Sequence, residues 1–242
     1  MMIKFENVVL PSAEQWRAII LGARNPMNSW ERSDSYIGCD GGACDDCCNL
    51  NYGERCAEEY QNCIIGLNDL DLMKRLAAGG PVHAKYRRMI TVYVDITAPL
   101  YWWKEFDTYK VGTVANSCST MHKIAAKEFT LEDFSTEHLY FDELEFFKEI
   151  IDHLNGCRTL YLASKKEENA RIQKNDWWQM IQLLPSSYNQ KRTVMCNYET
   201  LTNIYKSRKD HKLDEWKTFC NDWIKNLPYS DLITGEDENE KR

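Results

Sequence analysis

The sequence predicts an α+β fold, with strands and helices interspersed along one chain. Residues 90–97 alternate strictly, Ile90, Val92, Val94 and Ile96 on one face and Thr91, Tyr93, Asp95 and Thr97 on the other, which is the period of a half-buried strand. Residues 143–154 instead place Leu144, Phe147, Ile150, Ile151 and Leu154 at helical spacing. Pro99, Gly112, Gly156 and Pro185 punctuate the chain between such stretches.

Taken in order, residues 3–10 read as a strand. Ser12 and Gln15 form a capping-box signature for a helix that runs through Trp16, Ala18 and Ile19 to Gly22. Residues 22–30 are a loop by their Asn-Pro and Asn-Ser content. Asn68-Asp69-Leu70 opens a helix with Leu70, Leu72, Met73 and Leu76 as its apolar side, closed by Gly79-Gly80. After the strand that Pro99 ends, residues 100–110 compose a short helix bearing Trp102 and Trp103. Asn116-Ser117-Cys118-Ser119-Thr120 is a small polar turn at the mouth of another helix. That layout suits an anion, because the first N–H groups of a helix point outward with partial positive charge.

Further on, residues 143–154 form a helix with Gly156 after it, and its apolar stripe is core or subunit interface. Residues 164–176 are a charged connector or a solvated helix surface, and residues 177–184 a helix stopped by Pro185. Residues 192–196 read as a strand and residues 198–208 as a helix. Residues 211–226 make an amphipathic final helix ended by Pro228.

A length of 242 residues allows one large domain or two small ones. The net charge of −7 argues against a sequence-independent nucleic-acid binder, which needs a basic face. No apolar run long enough to span a membrane is present, and no apolar h-region follows the first lysine, so the expected location is cytoplasmic. Basic residues gather between Lys191 and Lys212, either as a local field for a small anionic ligand or as a solvated helix face.

Six of the ten cysteines fall at positions 39, 44, 47, 48, 56 and 63. Cys44 and Cys47 have the spacing of a zinc knuckle, but Cys56 and Cys63 are too far apart for the usual second pair, and Asp40, Asp45, Asp46 and Glu54 oppose thiolate formation. A metal site and reduced cysteines in a loop insertion are the two readings, and the expectation adopted is no metal.

Two blocks carry a resemblance to a known family. Ala98-Pro99, an aromatic and basic helix, and then Asn116 and Ser119 resemble the signature region of the flavin-dependent thymidylate synthases. Leu184-Pro185 followed by Asn197, Leu201, Asn203 and Arg208 resembles the second signature of the same family. The resemblance spans roughly residues 68–216 and implies a central antiparallel or mixed sheet with flanking helices. It further implies a single domain over residues 1–236, a Cys-rich insertion at 37–64 and an acidic flexible tail at 237–242.

What the family does implies reductive methylation of dUMP, or of a related pyrimidine deoxynucleotide, with FAD, NADPH and methylenetetrahydrofolate. The alternatives are pyrimidine hypermodification or a non-catalytic nucleotide-binding homologue. No catalytic residue is assigned, since no cysteine attacks the base in this family. By position, Ser29, His83, Thr108, Tyr109, Lys110, Asn116, Asn197 and Asn203 face the flavin, and Glu105, Ser117, Ser119 and Arg208 face the nucleotide. Arg24 is either a flavin contact or a surface ion-pair residue. The family's sites form between subunits, so a homotetramer is expected. Thr108, Tyr109, Met121, Ile181 and Glu199 stand where the family has Arg, His, Arg, Arg and Arg. The positive charge that a phosphate requires then falls to Lys110, Lys123, Arg192 or Arg208.

Overall fold

The computed structural model describes residues 3–38, 62–166 and 169–235. Strands β1 (Lys4–Val9), β2 (Tyr36–Gly38), β3 (Asn62–Ile64), β4 (Thr91–Pro99), β5 (Val114–Ser117) and β6 (Asn189–Asn197) divide into two sheets. The larger has the spatial order β1-β4-β6-β5 with every neighbouring pair antiparallel. Its spine is β4 against β6, in register from Thr91↔Asn197 to Pro99↔Asn189. The alternation in residues 90–97 is realised: Ile90, Val92, Val94 and Ile96 are buried and Tyr93 is exposed. β2 and β3 pair as a ribbon where the chain leaves for and returns from residues 39–61, and most of the Cys-rich stretch lies outside the described residues. The expected tail at 237–242 lies outside them as well.

Helix α1 (Ala13–Arg24) opens with the expected capping box between Ser12 and Gln15, but passes Gly22. Its end is set by Pro26, which has no N–H to give to the Gly22 carbonyl; Asn25 donates to that carbonyl instead. Helix α2 (Leu67–Ala78) is closed at Gly79 as the sequence indicated. Helix α3 (Leu100–Phe106) is shorter than residues 100–110, and buries Trp102, Trp103 and Phe106. Residues 116–117 are not a turn: they belong to edge strand β5, because β6 offers a free edge that a four-residue apolar pattern does not announce. The helix after them, α4 (Thr120–Lys123), is a single turn, so the predicted anion-binding helix start is not built.

Helix α5 (Phe141–Lys166) runs straight through Gly156, where the sequence predicted a stop. A mid-helix glycine costs only about 1 kcal/mol against alanine, and Leu154 and Cys157, both buried, hold the helix on either side. It packs against α6 (Ala170–Leu183), and together with Phe129 and Phe134 they enclose a core of their own. Helix α7 (Tyr198–Arg208) has the predicted bounds. The predicted final helix is broken into α8 (Asp214–Lys217), a π-turn at Thr218–Trp223 and a 3-10 turn at Ile224–Asn226. The wider π-turn lets Phe219, Cys220 and Trp223 all reach the sheet-side core. Helix α9 (Asp231–Thr234) completes the described chain. Among the described residues no helix is long and apolar enough to cross a membrane.

Candidate functional site

Residues far apart in sequence meet at the ends of α3 and α7. Burial of Trp102, Trp103 and Phe106 turns Glu105 to the boundary of α3, and burial of Tyr205 likewise leaves Arg208 at the rim of α7. Arg208 Nη1 donates to Glu105 Oε2 at 2.7 Å, and its Nε donates to the Tyr109 hydroxyl at 2.9 Å. The same carboxylate oxygen accepts Trp216 Nε1 at 3.0 Å and stands 3.4 Å from His211 Nε2. His211 Nδ1 accepts the Leu213 N–H, so the proton of the neutral ring sits on Nε2, toward Glu105. The guanidinium lies over the Trp216 ring at 5.1 Å and the Tyr109 ring at 5.8 Å, a flat geometry that favours arginine over lysine. Side-chain exposures of 21% for Arg208 and 33% for Glu105 keep the pair within reach of a ligand.

The segment after α3 straps this node to the rest of α7. Thr108 folds its hydroxyl onto the Glu105 carbonyl, Lys110 is exposed, and Thr113 donates to the Tyr109 carbonyl. Gly112 adopts φ of +81°, and a Cβ there would stand 2.6 Å from Thr200 Oγ1 and 2.9 Å from Asn197 Nδ2. No other residue fits so close. Thr200 Oγ1 donates to the Val111 carbonyl, and Asn197 caps α7 by accepting the Thr200 N–H at 3.0 Å. Asn197 therefore serves the first turn of α7, while Tyr109 grips its last residue.

Other predicted residues lie apart from this node. Asn116 and Ser117 pair with Thr193 and Arg192 on the exposed edge strand, and Ser119 caps α4 by accepting the His122 N–H. Gln190 ties that segment to the sheet through the Cys118 carbonyl and Thr120. His83 and Asn203 are exposed, and among the described residues no hydrogen bond joins them to Glu105 or Arg208. The first two cations of the basic stretch are neutralised in space: Lys191 pairs with Glu6 and Asp95, and Arg192 pairs with Asp107 while stacking at 4.2 Å on Trp103. Glu199 stands beside the buried Arg87, with Oε2 and Nη1 3.9 Å apart.

Ser29 belongs to a second node. Arg24 is not a surface ion pair: it is buried, its Nε paired to Asp69 and its Nη1 donating to both oxygens of Ser29 at 3.3 Å. Asp69 Oδ2 also accepts the hydroxyls of Ser33 and Ser35 and the N–H groups of Asp34 and Ser35. Burial alone would raise the Asp69 carboxyl, but the Ser35, Ser33 and Arg24 bonds outweigh it and hold the group below its ordinary value. Arg24 Nη2 is buried without a partner, beside a cavity of about 440 Å³ that Arg32 and Arg75 also line. None of the residues lining this cavity belongs to the Glu105–Arg208 node.

This arrangement of sheet, helical hairpin and strap has counterparts among solved structures. The flavin-dependent thymidylate synthase ThyX from Helicobacter pylori, complexed with FAD and dUMP, matches with a TM-score of 0.57 at 14% identity, over 97% of this chain and 99% of that one. A second ThyX structure from the same organism, with FAD and dUMP, gives 0.57 at 16% identity over 97% and 98%. The chain has the fold of the flavin-dependent thymidylate synthases. A UMP/dUMP methylase, PolB from Streptomyces cacaoi bound with 5-Br dUMP, shares the ThyX fold with this chain at a TM-score of 0.52 and 10% identity, over 92% and 88%. No family model matches the chain, and no curated protein matches it by sequence.

Within this ThyX fold, sequence reasoning missed His211, Trp216 and Asp69. Trp216 and His211 both read as residues of the final helix, and only the tertiary structure makes Trp216 a donor to Glu105 and sets His211 Nε2 3.4 Å from the same carboxylate. Asp69 was legible as a helix-start acid, but not as the partner of Arg24. Of the Cys-rich stretch only Cys63 is described; it is buried in β3, and desolvation raises its thiol. No group of His, Cys, Asp or Glu suited to a metal occurs among the described residues.

Proposed function

We propose that the chain is a diverged flavin-dependent thymidylate synthase, methylating dUMP or a related pyrimidine deoxynucleotide reductively with FAD, NADPH and methylenetetrahydrofolate. The observation that carries the reading is the match over 97% of the chain to a fold that, in the Helicobacter pylori protein, is complexed with FAD and dUMP. The residues that support a flavin pyrophosphate are Arg24, whose Nη2 lacks a partner beside Ser29, and Arg32, while Arg75 lines the same cavity already paired with Asp71 at 2.9 Å. When bound, FAD supplies the transfer of hydride from reduced nicotinamide to the pyrimidine.

The chain's own residues bind and orient. Tyr109 and Trp216 hold Arg208 flat, and Arg208 meets a nucleotide phosphate once Glu105 yields it. Because Glu105 neutralises Arg208, phosphate binding must compete with an existing ion pair. The Ser29 cavity and the Arg208 node are separate within one protomer, so a homotetramer that apposes them across a subunit boundary completes the site in this reading. The test is the absorption spectrum of the purified protein, followed by dUMP-dependent NADPH oxidation. A flavin band and a dUMP-dependent rate are expected. A protein that neither carries nor takes up FAD overturns the reading. Oxidation indifferent to dUMP but responsive to another pyrimidine nucleotide moves it to the related substrate, in keeping with the UMP/dUMP methylase that shares the fold.

A further inference from the structure

Three donors from three segments converge on one oxygen of Glu105. Arg208 Nη1 from α7 stands 2.7 Å from Oε2, Trp216 Nε1 from α8 stands at 3.0 Å, and His211 Nε2 from the linker between those helices at 3.4 Å. A carboxylate oxygen has two lone-pair sites, and the first two donors fill them. His211 is left just beyond the usual N–H···O range of about 2.7–3.2 Å. Its ring is nevertheless held in that direction. The His211 backbone N–H donates to the Arg208 carbonyl at 3.0 Å, Nδ1 accepts the Leu213 N–H at 3.2 Å, and the Trp216 ring meets the imidazole edge-on at 6.3 Å.

We propose that His211 is a positioning residue: it takes over Glu105 Oε2 when Arg208 turns to a nucleotide phosphate. The proposal rests on the nucleotide reading above and supplies the exchange of partners which that reading requires. Arg208 Nε stays on the Tyr109 hydroxyl, so the guanidinium turns about that bond while Nη1 leaves Glu105. Without a replacement the carboxylate loses its shortest hydrogen bond in a half-buried place, and a charged acceptor left short of donors is costly there. A neutral imidazole with its proton on Nε2 fills the vacated lone pair by a small movement. Because Leu213 and Trp216 already fix the ring, the exchange costs little side-chain entropy. Stiffening the linker between α7 and α8 needs only the Leu213 bond, and would not require an N–H that faces a carboxylate.

Isothermal titration with dUMP compares the full wild-type chain with His211→Phe, which keeps a ring without the donor, and His211→Gln, which keeps a donor without the ring. His211→Phe is expected to weaken dUMP binding by about fivefold or more, and His211→Gln to bind as wild type does. In a Glu105→Gln background, where no carboxylate charge holds Arg208, His211→Phe should change nothing further. A thermal melt checks that each variant is folded. Wild type supplies a readout that needs no variant: on saturation with dUMP, the His211 Nε2–H proton resonance should move downfield as its bond to Glu105 shortens. Unchanged affinity in His211→Phe, an equal loss in the Glu105→Gln background, or an Nε2–H resonance unmoved by bound dUMP each overturns the role. A His211→Gln variant as weak as His211→Phe overturns it as well. Wild type that takes up no dUMP overturns the nucleotide reading itself, and this role falls with it.

Discussion

Arg24 and Arg208 each occupy the last position of a helix, α1 and α7, and each pairs with a carboxylate from another helix. Their surroundings differ. At the first node the side chains are 5% and 1% exposed; at the second they are 21% and 33% exposed. In the first, Asp69 gathers four further donors from residues 33–35 and locks a loop to the start of α2. In the second, aromatic rings frame a guanidinium whose partner is still within reach of solvent. The same ion pair therefore belongs to the scaffold when water is excluded, and is available to a ligand when water is not.

The comparison breaks most visibly on removal of one partner. Asp69→Ala should destabilise the chain by about 3–5 kcal/mol, because it strands a buried guanidinium, whereas Glu105→Ala should cost about 1 kcal/mol. Urea unfolding measures both, and equal losses would erase the distinction. Arg208→Ala carries the opposite signature: little change in unfolding, but at least about a tenfold loss of dUMP affinity by titration. If Arg208→Ala binds dUMP as wild type does, the second node is not the nucleotide site.

Acid should separate the nodes as well. The Asp69 carboxyl lies below its ordinary value in the folded chain, so its stabilisation is complete above the unfolded value near 4. It is lost as pH falls from there through the lowered folded value. Asp69→Asn should flatten the acid limb of a stability-versus-pH curve, and an unchanged limb would place that dependence elsewhere. The strap offers a further test: Gly112→Ala meets both a positive φ and the Thr200 hydroxyl, and should cost about 1–3 kcal/mol of stability. The smallest effect on folding is expected for Glu105→Gln. The amide oxygen still accepts from Trp216 and Arg208, so unfolding should shift by less than about 1 kcal/mol. With the competing charge gone, dUMP should bind more tightly; weaker binding would mean that the Glu105 carboxylate itself holds ligand.

Much of the sheet and the helices was legible because the controlling signals are local. The alternation around Val92 and Val94, the box between Ser12 and Gln15, and the bounds of α7 at Tyr198 and Arg208 are read from neighbours within a few residues. Where a local signal misled, a tertiary contact had overruled it. Gly156 is carried through α5 by the buried residues beside it, and Asn116 and Ser117 become a strand because β6 has an unfilled edge. At the candidate site, Glu105, Tyr109 and Arg208 were named from the resemblance, and their contact is visible only once α3 and α7 are packed.

The order of residues by itself determined which faces are apolar, where helices are capped, and which motif positions carry arginine and which do not. Only the tertiary structure decided which charges are spent. Lys191, Arg192, Arg24 and Arg208 look alike along the chain, and what separates them is the carboxylate that folding brings near and the water it leaves. Periodicity and capping act over one or two turns, whereas charge compensation and desolvation act through space between segments more than a hundred residues apart, as between Glu105 and Arg208.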